Sequence, residues 1–258
     1  KSFKKWKKIS KFSRMVFECF NQALAQNNET KKYLNKLGVK KVKLLGNLKF
    51  SETKTKTKKT LSQNLKIFFR SKKIWCASST HDNEEIISAI AHKSLKKKIK
   101  NLITIIIPRH INRVDTIIKE IENLGLITHL HSSKNKIKRN TEIYIVDTYG
   151  ETEKFFNICK TVFLGGSLIK HGGQNPIEPA RLGCKIIHGP HIKNFNEIYS
   201  LLDKNKISIK VHNLNQLITK IRIILKKNVS SEKLIYKLKK LGNVILYSTL
   251  LEVKKFIN

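Results

Sequence analysis

The sequence predicts an α/β fold, a parallel sheet flanked by helices, with a smaller basic segment in front of it. Three observations carry this. Short apolar runs alternate with stretches of helical periodicity, the order that parallel strands joined by helical crossovers require. The run at 102–107 is almost wholly apolar, as a strand must be when helices cover both of its faces. From Thr161 to His188 the chain reads strand, glycine loop, capped helix, strand.

Taken in order, residues 1–25 read as one or two helices with Phe17, Phe20 and Leu24 on one face. A short strand follows at 23–26, and Asn28 or Thr30 caps a helix that ends at Gly38. Residues 42–45 form the next strand and lead into Gly46-Asn47-Leu48-Lys49-Phe50. The segment 51–59, SETKTKTKK, is polar and without apolar periodicity, and is the linker candidate. Residues 73–77 are a strand running into Ser78-Ser79-Thr80-His81-Asp82. The helix behind it carries Glu84 and Glu85 in its first turn, where acidic side chains suit the dipole. The strand at 102–107 ends in Pro108-Arg109-His110; a helix at 114–124 and a strand at 127–131 come next. A polar loop, 132–139, precedes the strand at 143–146, which ends in Asp147-Thr148-Tyr149-Gly150-Glu151 and opens a helix.

The stretch 163–199 organises the chain. A strand at 161–164 ends in Gly165 and Gly166, and a second glycine pair, Gly172 and Gly173, follows. Asn175 and Pro176 stand where a helix begins, since proline loses nothing at the first helical position, and Gly183 stops it. A helix start behind a glycine loop is a ready site for a phosphate or for hydroxyls. The next strand, 185–188, runs into Gly189-Pro190. Residues 207–211 are the last strand, and helices cover 213–227, 231–241 and 243–256.

With 258 residues, 40% of them hydrophobic, the chain is globular and has room for one large domain or two smaller ones. Its net charge of +35, from 53 Lys+Arg against 18 Asp+Glu, fits nucleic acid, an anionic membrane surface, or a merely solvated basic surface. At a membrane each nearby basic residue adds roughly 1 kcal/mol. The lysines are spread along the chain among Ile and Asn, and no RNA-binding or zinc-finger motif accompanies them, so no nucleic-acid partner is expected. The opening KSFKKWKKISKF reads equally as a membrane-surface helix and as a solvated helix face. Cys19, Cys76, Cys159 and Cys184 fit no zinc spacing; the last three lie in or beside apolar segments and read as core. A reducing, cytosolic setting is expected. No run approaches the roughly 18 apolar residues of a membrane span.

Ligands of parallel sheets bind at the carboxyl ends of the strands, where Arg109, Glu151 and the 165–175 loop all fall. Arg109 reads as a bidentate phosphate ligand or as an ordinary surface arginine. Tyr149, Gly150 and Glu151 offer backbone N–H groups to a base or a phosphate, or are a plain helix start capped by Asp147 or Thr148. Asn175-Pro176-Ile177-Glu178 places a carboxylate one turn into a helix, either to accept ribose hydroxyls or simply to cap. Lys49 by itself is one lysine among many.

The string FLGGSLIKHGGQNPIEPARLGCKIIHGPHIKNFNEIY closely resembles the signature of bacterial Kdo transferases, which move 3-deoxy-D-manno-octulosonic acid (Kdo) from CMP-Kdo onto lipid A precursors. The passage through GNLKF resembles the same family, and the likeness extends from Ser2 to about Val211. It implies an inverting GT-B glycosyltransferase of lipopolysaccharide biosynthesis, built of two Rossmann-like lobes. Residues 1–52 would be the remnant of the acceptor lobe and the hinge, 53–242 the CMP-sugar-binding lobe, and 243–258 a helix crossing back. The resemblance assigns CMP to Pro108, Arg109, Tyr149, Gly150, Glu151, Asn175, Pro176, Ile177 and Glu178, and makes Lys49, in the hinge strand, the transition-state stabiliser. The family's general-base glutamate has no match here, which implies a truncated protein, a split protein whose acceptor lobe is a separate chain, or a decaying gene. Tyr149 stands where the family has an apolar residue; His171 and Gln174 stand where it has arginine and histidine. His81, His110 and His171 receive no role. No metal and no cofactor are expected. The place implied is the cytoplasmic face of the bacterial inner membrane, peripherally bound. A CMP-binding module without chemistry, and a basic nucleic-acid binder, are the alternatives.

Overall fold

The computed structural model describes residues 2–51, 60–227 and 230–257. The linker expected at 51–59 lies, apart from Ser51, outside the described residues. The chain divides into two compact units, Lys1–Lys54 with Leu238–Asn258, and Thr55–Lys237.

In the first unit, the basic opening forms two helices, α1 (Ser2–Lys8) and α2 (Ser10–Glu18). Phe20 and Leu24, expected on a helix face, lie beyond them; Leu24 sits in β1 (Ala23–Ala25). α3 (Asn28–Lys36) is capped by Asn27, whose Oδ1 accepts the Thr30 N–H at 2.7 Å, rather than by Asn28 or Thr30. β2 (Val42–Leu44) pairs in parallel with β1. Leu48–Phe50 is a single 3₁₀ turn capped by Asn47, so Lys49 stands exposed on a turn and not in a strand. Three rings from the basic helices pack locally: Phe3 stacks on Tyr33 at 4.1 Å and Trp6 meets Phe17 edge-on at 5.2 Å.

The second unit opens with a helix that has no sequence expectation, α4 (Gln63–Arg70). Seven strands follow, β3 (Lys73–Thr80), β4 (Leu102–Pro108), β5 (Thr128–Leu130), β6 (Ile143–Ile145), β7 (Thr161–Leu164), β8 (Lys185–His188) and β9 (Ser208–Lys210). They are parallel throughout, in the order β5-β6-β4-β3-β7-β8-β9. The chain enters at the centre, builds one side with β6 inserted between β4 and the edge strand β5, and then crosses to begin the other half at β7. The intervening helices are α5 (Glu84–Lys96), α6 (Val114–Glu122), α7 (Thr152–Phe156), α8 (Ile177–Arg181), α9 (Asn196–Lys204) and α10 (Leu214–Lys226). Of these α9 was not anticipated. The last helix, α11 (Ser231–Lys254), is continuous where two helices were expected.

Register explains why the strands are apolar on both sides. Trp75 pairs with Thr104, and Ala77 with Ile106 and Phe163; these side chains share one face and join a core with Ala89, Leu95, Ile117, Leu217 and Ile221 of α5, α6 and α10. Cys76 pairs with Ile105 and Val162, which occupy the opposite face. Near that face Tyr144 and Phe155 lie 5.8 Å apart, and Phe69 of α4 is 5.3 Å from Tyr144. Cys76, Cys159 and Cys184 are buried, as expected of core cysteines, and Cys19 is exposed. Among the described residues no helix is long and apolar enough to cross a membrane.

Candidate functional site

All seven strands point their carboxyl ends to one edge, and three of those ends are tied together at the point where strand order reverses. The Gly165 N–H donates to Ser78 O and the Arg109 N–H to Thr80 O, both at 2.9 Å. Between Ser78 and Thr80 the β3–β4 register shifts, with Ser79 at φ 53°. Gly165 is required there: a Cβ would stand 2.5 Å from Ser79 O and 2.8 Å from Glu84 Oε2.

Glu84 is the residue that sequence reasoning undervalued. Its side chain is fully buried and accepts four backbone N–H groups, from His81 (3.1 Å), Gly166 (2.6 Å), Ser167 (3.1 Å) and Leu168 (3.1 Å). Read as a favourable charge at a helix start, it is instead an internal anion that moulds the β7–α8 loop. The protein's own carboxylate thus fills the nest of N–H groups that opens this loop. The signal lies in two stretches 82 residues apart, and only the sheet order unites them.

Above this nest lies a group of imidazoles. His81 lies against His171 with ring centroids 3.8 Å apart and the planes tilted by 31°, and His110 meets His81 edge-on at 5.7 Å. Gln174 Nε2 lies 3.0 Å from His81 Nε2. Burial lowers the His81 pKa to about 4, with His171, His110, Arg109 and Arg113 acting in the same direction. Arg109 itself is exposed, and its guanidinium has no ion-pair partner among the described residues. Arg113 by contrast pairs with Asp82 at 2.6 Å and Glu85 at 3.2 Å. Burial raises the Glu85 pKa, and Arg113 opposes the rise.

The remaining residues expected in the site gather at the same edge around α7 and α8. Tyr149 is 71% exposed and Gly150 takes φ 80°. Glu151 lies 2.7 Å from Lys154 Nζ and 3.6 Å from His131 Nε2. Neither Asp147 nor Thr148 caps α7; Asp147 accepts the Ser132 N–H at 2.9 Å instead. The Thr152 hydroxyl lies 3.5 Å from Glu178 Oε1, which joins the β6–α7 turn to α8. Asn175 Oδ1 accepts the Ile177 N–H at 3.1 Å, and Pro176 is the N-cap of α8, one residue before the position expected. α8 has only five residues, so its dipole is slight. Pro108 is the buried last residue of β4. The Tyr199 hydroxyl donates to Gln174 O at 2.9 Å and fixes the loop from below. A cavity of about 310 Å³ opens beside it, walled in part by Lys170, His191 and Lys193. Lys49 belongs to the first unit. Among the described residues no group of three or more His, Cys, Asp or Glu is arranged to hold a metal ion.

The fold defined by this sheet and its helices is the GT-B α/β architecture. Residues 1–52 match the family model described as 3-Deoxy-D-manno-octulosonic-acid transferase (kdotransferase). The 3-deoxy-D-manno-octulosonic acid transferase of Rickettsia felis is 32% identical over 92% of this chain and 51% of its own length. That of Haemophilus influenzae is 30% identical over 78% of this chain and 48% of its own. The C-terminal CMP-Kdo binding domain of WaaA from Acinetobacter baumannii superimposes with a TM-score of 0.64 at 26% identity, covering 69% of this chain and 93% of that domain. The chain is thus similar to Kdo transferases over most of its length, and it spans about half the length of the curated relatives it matches.

Proposed function

We propose that this chain binds CMP-Kdo at the carboxyl edge of its seven-stranded sheet and thereby serves Kdo transfer to a lipid A precursor in lipopolysaccharide biosynthesis. The observation that carries the reading is the likeness to the CMP-Kdo binding domain of WaaA over nearly all of that domain. Arg109 supplies a planar cation for the phosphate. The turn at Tyr149, Gly150 and Glu151 faces the cytosine, with Tyr149 offering an exposed ring to the base. Pro108, Asn175, Pro176 and Ile177 shape the floor, and the Glu178 carboxylate accepts the ribose hydroxyls. No metal enters this scheme, since one arginine can balance the single phosphate. Because the chain spans half of its relatives, donor binding is assigned to it and transfer to the whole enzyme. There inversion needs a general base facing the donor, and Lys49 stabilises the negative charge that develops on the leaving phosphate. The net charge of +35 supports a peripheral place on an anionic membrane surface.

Calorimetry with CMP, and with UMP as the control, tests the pocket. CMP is expected to bind more tightly than UMP, and Glu178→Ala to weaken CMP by about tenfold or more, the loss of one good charge-assisted hydrogen bond. Equal heats for the two nucleotides, or unchanged CMP affinity in the variant, would sink the assignment.

A further inference from the structure

We propose that His81, His110 and His171, together with Arg109, form a receptor for an anionic group of the donor, a phosphate or a carboxylate, and that the receptor takes up a proton when the anion binds. The proposal rests on the donor-binding reading above and assigns roles to three histidines that it leaves without one.

The three rings come from three different strand ends: His81 after β3, His110 after β4, and His171 in the loop after β7. They meet where the strand order reverses, at ring separations of 3.8 and 5.7 Å. Gly166 is packed against two of them, a Cβ there lying 3.2 Å from His81 and 3.3 Å from His171, so the glycine loop is fitted to the rings. His81 is 7% exposed, while His110 and His171 are exposed.

The charges around the group explain why it wants an anion. From the β3–α5 turn come Asp82, Glu84 and Glu85; from the β4 end Arg109, His110 and Arg113; from the β7–α8 loop His171 and its neighbour Lys170. The acids are engaged: Glu84 by four N–H groups, Asp82 and Glu85 by Arg113. Arg109 is exposed and has no ion-pair partner among the described residues. A buried imidazole close against a second one and beside two arginines cannot readily hold a proton, which agrees with the depressed His81 value. An anion seated between Arg109 and the rings reverses that balance, because opposite charge favours the protonated imidazole. Arginine and imidazolium together then make charge-assisted hydrogen bonds to its oxygens.

The test is a histidine-ring NMR titration of the protein alone and with CMP, cytidine, inorganic phosphate and free Kdo, paired with calorimetry in buffers of differing ionisation enthalpy. The His81 titration is expected to move up by about one unit or more with an anion and to stay in place with cytidine. Movement with CMP and inorganic phosphate assigns the receptor to the phosphate; movement with free Kdo alone assigns it to the sugar carboxylate. His81→Asn should weaken the effective anion about tenfold and abolish proton uptake, leaving cytidine affinity unchanged. His171→Asn, at an exposed position, should halve the uptake or better and guards against a folding defect in the first variant. If no anion shifts His81, the proposal is overturned. If CMP binds tightly and neither CMP, inorganic phosphate nor free Kdo shifts His81, the donor pocket stands and the receptor falls. If inorganic phosphate shifts His81 while CMP does not bind, the receptor stands and the donor reading falls.

Discussion

Glu84 shows how much one side chain decides at this edge. Four donors converge on its carboxylate in a dry setting, and a buried donor left unmade costs about 1–3 kcal/mol. Glu84→Gln turns one acceptor oxygen into an NH₂ that faces those donors. Urea unfolding should show a loss of about 3 kcal/mol or more, and a change under about 1 kcal/mol would show the nest to be expendable. Lys49 makes the opposite kind of prediction. If it acts on the transition state, Lys49→Ala in the whole enzyme lowers kcat and kcat/KM together by about 10²–10³, as for other charge stabilisers. A variant that only raises the donor KM would make Lys49 a plain binding residue. Lys49, Arg109 and Glu178 were legible as candidates because their short motifs are specific. Glu84 was not, since an acidic residue at a helix start is commonplace and its partners lie 82 residues away.

At the level of the element, α11 is the instructive case. A glycine followed by asparagine reads as a helix stop, and helices at 231–241 and 243–256 follow from it; the helix in fact runs unbroken from Ser231 to Lys254. Gly242 is there for clearance. A Cβ on it would run into Phe50 O and come within 2.9 Å of Ser51 Cα. Helix propensity alone says that Gly242→Ala gains about 1 kcal/mol. The packing says that it loses stability, and a thermal melt gives the sign; a rise in Tm would refute the close approach. α10 behaves as its sequence suggests. Asn213 Oδ1 accepts the Gln216 N–H at 3.0 Å while Gln216 Oε1 accepts the His212 N–H at 2.9 Å. Removing this reciprocal cap with Asn213→Ala should cost about 1 kcal/mol in chemical denaturation, and no measurable change would show the cap to be idle.

Across the whole molecule, stability should depend on acid through its buried histidines. His92 is fully buried against Thr104, its Nδ1 2.9 Å from the hydroxyl, and burial lowers its pKa from 6.5 to about 4; Glu142 opposes and Lys96 assists. His81 is lowered to about 4 as well. The unfolded chain therefore binds these protons at higher pH than the native protein does. Their contribution is fully present above about 6.5 and is lost as pH falls towards 4. Melting temperatures measured across that window should fall, and should fall less in His92→Gln. An equal fall in the variant would remove His92 from the account.

The sequence by itself determined the strands of the sheet, because a strand covered on both faces has to be apolar and short, and runs such as 102–107 and 161–164 leave no other reading. It carried the resemblance to Kdo transferases too, through motifs that sit on single turns of backbone. What only the tertiary structure decided were the long-range pairings. The glycine loop's N–H groups turn inward to Glu84, three histidines from three strand ends meet in one cluster, and Gly242 is kept small by Phe50. Each depends on which strand lies beside which and on how closely two backbones pass. Local periodicity holds no record of either, since it is set by residues a turn apart, whereas these contacts join positions scores of residues distant.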